Sequence, residues 1–167
     1  QEISPEQAEA LSAVMPYGEL EPARDHTGMG IVMQRRGAMS RIPLRCRDAR
    51  VTTLDPAHWP QLTRPLEIVN VHMAAPQVVQ PVPGLWVRPQ QLRGLLRWIG
   101  ERPHDQRVLI GDFNATPAWP VYRRIASHFT DAAVAAAQRR GGRVEATWGP
   151  WHGSPRLARI DHGFVRG

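Results

Sequence analysis

The sequence predicts a layered α/β domain. Apolar runs typical of strands alternate with amphipathic segments typical of helices along its 167 residues, without a repeat of fixed period. The length suffices for a real core, and 42% hydrophobic with 22% charged residues is ordinary for a globular protein. We therefore expect one domain over residues 1–167. No apolar run in the sequence is long enough to cross a bilayer.

The first predicted element is an N-terminal helix. Ser4 is a favourable N-cap and Gln7 follows three residues later, which is the pattern of a capping box. Apolar residues recur at helical spacing from Ala8 to Met15, so we expect an amphipathic helix that ends near Pro16.

Three strands are predicted in the next part of the chain, at residues 28–33, 51–54 and 66–73. Alternation in the last of these places Asn70 and His72 on one face and the valines on the other. Residues 35–50 are basic and interrupted by Gly and Pro, which predicts a loop or a ragged edge strand.

The remaining elements follow from Pro and Gly boundaries and from apolar spacing. Residues 77–89, rich in Pro and Val, predict a loop, with a place beside the substrate as one option. The predicted elements after it are a helix opened by Pro89, strands at 108–110, 144–148 and 159–165, a short helix at 121–125, and a helix from Asp131 to Gly141.

The stretch with the strongest chemical signal is Gly111-Asp112-Phe113-Asn114, directly after the apolar run 108–110. Side chains two residues apart in an extended segment point to the same side, so Asp112 and Asn114 can address one target while Phe113 packs. We expect the strand to stop at Thr116-Pro117. The competing interpretation is an Asp/Asn turn after a strand, which is common.

The charge of the chain leaves two interpretations open. The net charge is +6 and every basic residue apart from histidine is Arg, which grips phosphate bidentately and favours an anionic substrate. Alternatively, the absence of Lys together with abundant Ala and Pro reflects a compositional bias that acts everywhere. The single Cys46 excludes an internal disulfide and a cysteine-based metal cage.

Four pieces in order resemble the endonuclease/exonuclease/phosphatase superfamily of DNase-I-like phosphoesterases. They are Gln1-Glu2 before a helix, the strand that ends at His72, the Gly111–Asn114 stretch, and Arg159-Ile160-Asp161. Ser40-Arg41-Ile42-Pro43-Leu44 also resembles a family segment. The resemblance implies a four-layer α/β sandwich, in which two mostly antiparallel β-sheets pack face to face between helices.

The resemblance also implies roles for five residues. Glu2 matches the metal-binding Glu, and His72 matches a His that contacts the scissile phosphate. Asp112 matches the Asp that orients or deprotonates the attacking water, and Asn114 matches the Asn that holds the phosphate or the nucleophile. Asp161 matches an Asp that pairs with a His of the last family motif. The implied cofactor is Mg²⁺ or Mn²⁺, because such hard ions take carboxylate and phosphate oxygens.

Two family features are missing from this sequence, namely the first strand and the final Ser-Asp-His motif. Asp161-His162 does not replace that motif, since Arg159-Ile160 before it and an apolar strand after it match the preceding motif. We expect His162 to face away from Asp161 and to be structural. The chain, which opens at Gln1, is expected to be a truncated piece that binds metal weakly and turns over poorly by itself.

The function implied is metal-dependent hydrolysis of a phosphodiester by an in-line water, with nucleic acid as one candidate substrate. The alternatives are a phosphatase or a hydrolase of phospholipids or lipid pyrophosphates, and a non-catalytic binding module. A lone His on a strand is more often a core residue, and a lone Glu before a helix is usually solvated. The roles of His72 and Glu2 therefore depend on the occurrence of all five residues together. We expect a monomer, and the sequence indicates neither the compartment nor a membrane association.

Overall fold

The computed structural model describes residues 1–76, 84–151 and 153–166. In this part of the chain four helices and eight strands follow one another. They are α1 (Pro5–Val14), β1 (Tyr17–Glu21), β2 (Met29–Met33), β3 (Ala38–Leu44), β4 (Arg47–Leu54), β5 (Leu66–His72), α2 (Gly84–Glu101), β6 (Arg107–Asp112), α3 (Pro120–Ala126), β7 (Thr130–Asp131), α4 (Ala132–Arg140) and β8 (Asp161–Arg166).

The strands form two sheets. A six-stranded sheet has the order β3-β4-β5-β6-β8-β7, and a two-stranded antiparallel sheet pairs β1 with β2. The larger sheet is antiparallel except between β5 and β6, which run parallel. Helix α1 contacts β1 of the small sheet, and β2 of that sheet contacts β4 of the large one. On the large sheet, α2 contacts β3 and α4 contacts β8. The predicted α/β sandwich with two mostly antiparallel sheets is therefore confirmed.

The two faces of the large sheet carry different kinds of side chains. On one face Val69, Leu109 and Phe164 are fully buried and pack in the main core with Leu95 of α2 and Ile125 of α3. Burial of each such side chain stabilises the fold by roughly 1.5–3 kcal/mol. This face fixes the strands, and the opposite face is free to carry polar groups.

Local sequence signals set the helix ends as predicted. Ser4 accepts a hydrogen bond from the Gln7 amide while the Gln7 side chain accepts one from the Ser4 amide, so the capping box forms. Asp131 caps α4 through the amides of Ala133 and Val134, and Gly141 ends that helix in the left-handed conformation.

Several predicted boundaries are wrong. Pro89 does not open a helix, since α2 begins at Gly84 and carries Pro89 in its second turn. Residues 84–89 are thus helical, while the rest of the predicted loop, 77–83, lies outside the described residues. Residues 144–148 form no strand, because their pairing is limited to one bridge between Trp148 and Ala158. Strand β6 ends at Asp112 and does not continue to Thr116-Pro117, so Asn114 lies beyond the strand, in the Asp/Asn turn of the competing interpretation.

The basic segment 35–50 contains a strand and a turn. Ala38–Leu44 forms β3, which lies at the edge of the large sheet and therefore tolerates Pro43. Of the two predicted options, a loop or an edge strand, the structure shows the edge strand. A two-residue turn, Arg45-Cys46, leads into β4, where Leu44 pairs with Arg47. Strand β1 was not predicted from the sequence. None of the described helices is long and apolar enough to cross a membrane.

Candidate active site

Three strand ends place polar side chains in one row across the large sheet. His72 of β5 is paired with Asp112 of β6, and Asp112 is paired with Asp161 of β8. Directly paired residues project to the same face of a sheet, so the imidazole and the two carboxylates lie side by side. The His72 Nε2 atom is 3.9 Å from the nearer Asp112 oxygen. The face is the one on which Asn70 donates a hydrogen bond to the Gly30 carbonyl of the small sheet.

Gln1 ties the ends of β5 and β6 together. Its amide nitrogen donates to Asn70 Oδ1 at 2.8 Å and to the Val71 carbonyl, while its amide oxygen accepts from the Asp112 amide at 2.9 Å. A Cβ atom on Gly111 would lie 2.1 Å from the Gln1 nitrogen and 2.1 Å from the Val71 oxygen, and Gly111 has φ of +138°. Glycine is therefore required at this position.

Glu2 reaches the same row from the chain segment before α1. Its backbone has a φ of +54°, and its Oε1 atom lies 4.0 Å from His72 Nε2. The carboxylate is mostly exposed. Glu2 thus stands at the open side of the row, where solvent and a ligand can reach it.

Asn114 is held by the backbone around the row. Its amide N–H donates to Asp112 Oδ1 at 2.6 Å, and its side-chain nitrogen donates to the Met73 carbonyl at 2.9 Å and to Asp112 Oδ2 at 3.2 Å. The residue has a φ of +47°, a conformation that Asn tolerates better than most residues. Phe113, between the two polar residues, is fully buried, as predicted.

The electrostatics of the row disfavour charge on both central groups. Burial raises the pKa of Asp112 to about 6, and the charges of Asp161 and Glu2 add to the rise although the Asn114 amide opposes it. Burial lowers the pKa of His72 to about 3, helped by the charge of Arg47. The His72 ring is therefore neutral at pH 7 and forms no ion pair with Asp112.

Two arginines near the row were not singled out from the sequence. Arg88 of α2 is 2% exposed, donates to the Ala74 carbonyl at 2.6 Å and stacks on Trp119. Arg47 of β4 is half-buried, and its charge interacts with Glu2 and Asp112. Burial lowers the pKa of both guanidinium groups while Asp112 opposes that shift. A search for isolated motifs could not find them, because only the fold brings them to Asp112.

A second polar cluster supports the row from the other face. His162 is buried against the rings of Phe113, Tyr122 and Phe164, and its Nε2 atom lies 2.7 Å from the Ala115 carbonyl oxygen. This ring faces away from Asp161, as expected for a structural residue. It holds the residue directly after Asn114 in place.

One hollow borders the site at Asn114. It measures about 180 Å³ and is lined by Asn114 together with Pro76, Trp119 and Trp148. A second hollow, of about 450 Å³, is lined by Arg47 and by residues of the β3–β4 turn. Within the described residues, none of the main hollows has more than one of the five predicted site residues in its lining.

The chain belongs to the endonuclease/exonuclease/phosphatase family. The model of the Endonuclease/Exonuclease/phosphatase family matches residues 1–167. No curated protein matches the sequence significantly. The family contains hydrolases that act on phosphate esters, generally with divalent metals, and its fold agrees with the two-sheet architecture described above.

Solved structures of low sequence identity share the fold. The 3'-5' exonuclease NExo from Neisseria meningitidis superposes with a TM-score of 0.71 at 18% identity, over 99% of this chain and 73% of that one. The Neisseria 3' phosphatase NExo bound to a product DNA hairpin gives 0.70 at 17%, with 99% and 73% covered. A functionally unknown protein from Enterococcus faecalis gives 0.69 at 18%, with 100% and 71% covered.

Proposed function

We propose that this chain carries the site of a divalent-metal-dependent phosphodiesterase that hydrolyses its substrate by in-line attack of water. The observation that carries the proposal is the row of His72, Asp112 and Asp161 on adjacent strands, with the Glu2 carboxylate 4.0 Å from the same imidazole. Phosphodiester hydrolysis needs a base beside a positioned water and neutralisation of the phosphoryl charge, and the row offers groups for both.

Asp112 is the proposed base. A general base works best when its pKa lies near the working pH, and burial brings the pKa of Asp112 to about 6. Asp161 contributes by standing beside Asp112, where its negative charge favours a proton on the neighbouring carboxylate. Asp161 thereby helps Asp112 to accept a proton from water.

Asn114 and His72 are proposed to position the reacting atoms. Both N–H bonds of the Asn114 amide are used, by Met73 and Asp112, so its carbonyl oxygen is the group it can offer to the water. The neutral His72 ring can donate one hydrogen bond to a phosphoryl oxygen. Loss of such a donor typically costs about 10²–10³ in rate.

The residues of the row fit a hard divalent cation. Asp161 is paired with Asp112, Glu2 lies 4.0 Å from His72, and the charges of Asp161 and Glu2 contribute to the raised pKa of Asp112. A cation would relieve this repulsion. Within the described residues no three His, Cys, Asp or Glu side chains come together as a metal site, so Glu2 would hold Mg²⁺ or Mn²⁺ together with water and substrate oxygens. When bound, the ion neutralises charge on the phosphoryl group.

The substrate candidates are a nucleic acid and a lipid-like phosphate ester. The first is supported by the excess of Arg and by the DNA hairpin bound to the Neisseria 3' phosphatase. The second is favoured by a specific feature, the exposed apolar side chain of Trp148, which lines the smaller hollow together with Trp119 and Pro76. Apolar rims of this kind suit substrates with an apolar portion.

A substrate panel with two readouts tests the proposal. The natural protein that carries this chain is incubated with plasmid DNA, a DNA hairpin, RNA, phospholipid vesicles and sugar phosphates, with Mg²⁺ or with chelator. We expect hydrolysis that the chelator stops. Independently, calorimetry should show Mn²⁺ binding to this chain that Glu2→Gln removes and the exposed-site control Glu9→Gln retains. Absent hydrolysis together with no Mn²⁺ binding would leave a binding module as the better explanation. Hydrolysis that the chelator does not stop would contradict the proposed metal dependence.

A further inference from the structure

Arg47 is half-buried, and it differs from most of the buried arginines of this chain. Arg50, Arg107 and Arg159 each form an ion pair with a carboxylate. Within the described residues Arg47 forms none, and its Nη1 atom is buried without a hydrogen-bond partner. An N–H group that is buried without a hydrogen-bond partner has lost its contact with water, and no protein group replaces that contact. This costs free energy unless a ligand accepts the hydrogen bond.

The backbone around Arg47 is fixed and tied to the strand end that carries His72. Gln91 of α2 is fully buried, and its amide nitrogen donates to the Arg45 carbonyl at 2.9 Å in the β3–β4 turn. Its amide oxygen accepts from the Ala74 amide at 3.0 Å, two residues after His72. The turn that leads into Arg47 therefore keeps a constant position relative to the catalytic row.

The hollow beside Arg47 has room for a phosphate group. It measures about 450 Å³ and is lined on one side by Arg47 and on the other by residues such as Ala23 and Thr27. Glu21 and Asp48, which also line it, form ion pairs with Arg41 and with Arg50, and Arg50 is itself part of the lining. Their charges are thus matched within the protein, whereas the charge of Arg47 is available.

Arg47 also stands close to the row itself. Arg50 of β4 pairs with Asn70 of β5 in an antiparallel register, so the chain from Arg50 back to Arg47 runs toward the end of β5 that carries His72. In agreement with this placement, the charges of Glu2 and Asp112 both act on the Arg47 guanidinium, and Arg47 contributes to the lowered pKa of His72. A group bound in the hollow by Arg47 would therefore be a neighbour of the group that is hydrolysed on the row.

We propose that Arg47 and this hollow form a second phosphate subsite, which binds a phosphate of the substrate adjacent to the scissile one. Arg is suited to this task because its planar fork donates two hydrogen bonds to one phosphate. The inference rests on the proposed phosphodiesterase function and narrows the substrate to molecules with at least two neighbouring phosphates. Both an oligonucleotide and a diphosphate ester have this chemistry.

Kinetics on substrates with one and with two phosphates distinguishes binding of a second phosphate by Arg47 from a general effect of Arg47 on the row. The natural protein, Arg47→Gln and the control Arg45→Gln, which changes an exposed side chain in the same turn, are compared on three substrates. These are the dinucleotide TpT with one phosphate, pTpT with an additional phosphate, and a nucleoside diphosphate ester. For Arg47→Gln we expect kcat/KM to fall about 10- to 100-fold on the substrates with two phosphates, mainly through KM, and less than about twofold on TpT. Arg47→Lys should recover part of the loss.

The two arms of the substrate set identify the source of the second phosphate. A loss on pTpT alone assigns the subsite to polynucleotides, and a loss on the diphosphate ester alone assigns it to diphosphates. Equal losses on all three substrates overturn the proposal, because Arg47 would then act on the row in general. Unaltered kinetics on all three would overturn it as well.

A binding measurement keeps this inference distinct from the proposed function. If the natural protein hydrolyses none of the substrates, the proposed function fails. Fluorescence anisotropy with a labelled single-stranded oligonucleotide in the presence of chelator then decides on the subsite. We expect Arg47→Gln to weaken binding and to make its dependence on salt shallower by about one phosphate contact, while Arg45→Gln does neither. Identical binding curves for the two variants would refute the subsite.

Discussion

Asp112, which is half-buried, and Asp131, which is buried, are two aspartates with opposite surroundings. Asp131 receives two hydrogen bonds from Arg159, at 3.1 and 2.7 Å, one from Tyr122 at 2.8 Å, and two from the first amides of α4. Asp112 stands between a neutral His72 and the carboxylate of Asp161. One carboxylate is surrounded by donors, and the other is placed beside a like charge.

The pKa shifts of the two aspartates express this difference. Burial by itself raises both values. At Asp131 the hydrogen bonds from Arg159, the α4 backbone and Tyr122 outweigh burial and lower the pKa. At Asp112 the neighbouring acids add to burial, and the pKa rises to about 6. A satisfied buried charge stabilises structure, whereas a poorly satisfied one is typical of functional sites, where proton affinity has to be adjusted.

The largest expected effect concerns activity. Asp112→Asn removes the proposed base while retaining the size of the side chain, so turnover should fall by about 10²–10⁴ with the fold intact. The assay is hydrolysis of bis(p-nitrophenyl) phosphate by the natural protein with Mg²⁺, and circular dichroism reports the fold. Near-normal turnover by this variant would remove Asp112 from the mechanism.

The next effect concerns stability. Asp131→Ala leaves the Arg159 guanidinium buried without its partner and removes the α4 cap, so the free energy of unfolding should fall by roughly 3–5 kcal/mol. Urea denaturation measures the change. Asp105→Ala, at an exposed position, serves as the control and should differ from the natural chain by less than about 0.5 kcal/mol. Equal effects of the two changes would contradict the structural role of Asp131.

A smaller effect tests the packing of Gln1 on the row. Gly111→Ala places a methyl group against Gln1 and the Val71 carbonyl and forces an L-residue into a φ of +138°, at a cost of roughly 1–3 kcal/mol. Gly142→Ala, where a Cβ would meet nothing within 4 Å, is the matched control. Thermal unfolding of both variants is compared, and a loss confined to Gly111→Ala is expected.

The smallest expected effect is a dependence on pH in metal-free protein. Because folding raises the pKa of Asp112 from 3.8 to about 6, its contribution to stability is present below pH 3.8 and is lost as the pH rises through 6. Asp112→Asn cannot lose a proton there. The Tm of the variant relative to the natural chain should therefore increase between pH 4 and 7.

The contribution of Asp131 to stability changes with pH in the opposite direction. Its pKa is lowered on folding, so its contribution is present above pH 3.8 and is lost as the pH falls further. Unfolding curves with chelator from pH 3 to 7 show both trends. A constant Tm difference between Asp112→Asn and the natural chain across this range would show that burial does not perturb Asp112.

The parts of the fold that depend on neighbouring residues could be predicted from the sequence. The capping box at Ser4 and the cap and stop of α4 are local interactions, and the structure has them where the residues stand. Pro89 was misinterpreted because a Pro at a helix start and a Pro in the second turn look alike when the preceding residues carry no cap signal. Residues 144–148 have strand composition, but they find no continuous partner strand among the described residues.

The candidate site could be predicted only where its residues stand in a motif. Asp112 and Asn114 form a recognisable motif, although Asn114 lies in a turn after the strand, with its amide bonded to Asp112, and not on an extended segment. Glu2, His72 and Asp161 were identified from the family resemblance. Arg47, Arg88 and Gln91 carry no local signal. Their place near the row depends on contacts between the β3–β4 turn, α2 and the end of β5, which are far apart in sequence and therefore leave no local pattern.

The sheet sets the spacing of the side chains in the row across β5, β6 and β8. Adjacent strands in a sheet are separated by about 4.8 Å, and hydrogen bonds enforce that interval. The spacing of these three side chains is consequently set by the backbone of the sheet. Under the proposed function, the turn beside Arg47 and the segment between Trp148 and Ala158 are the places where substrate preference can change without altering that spacing.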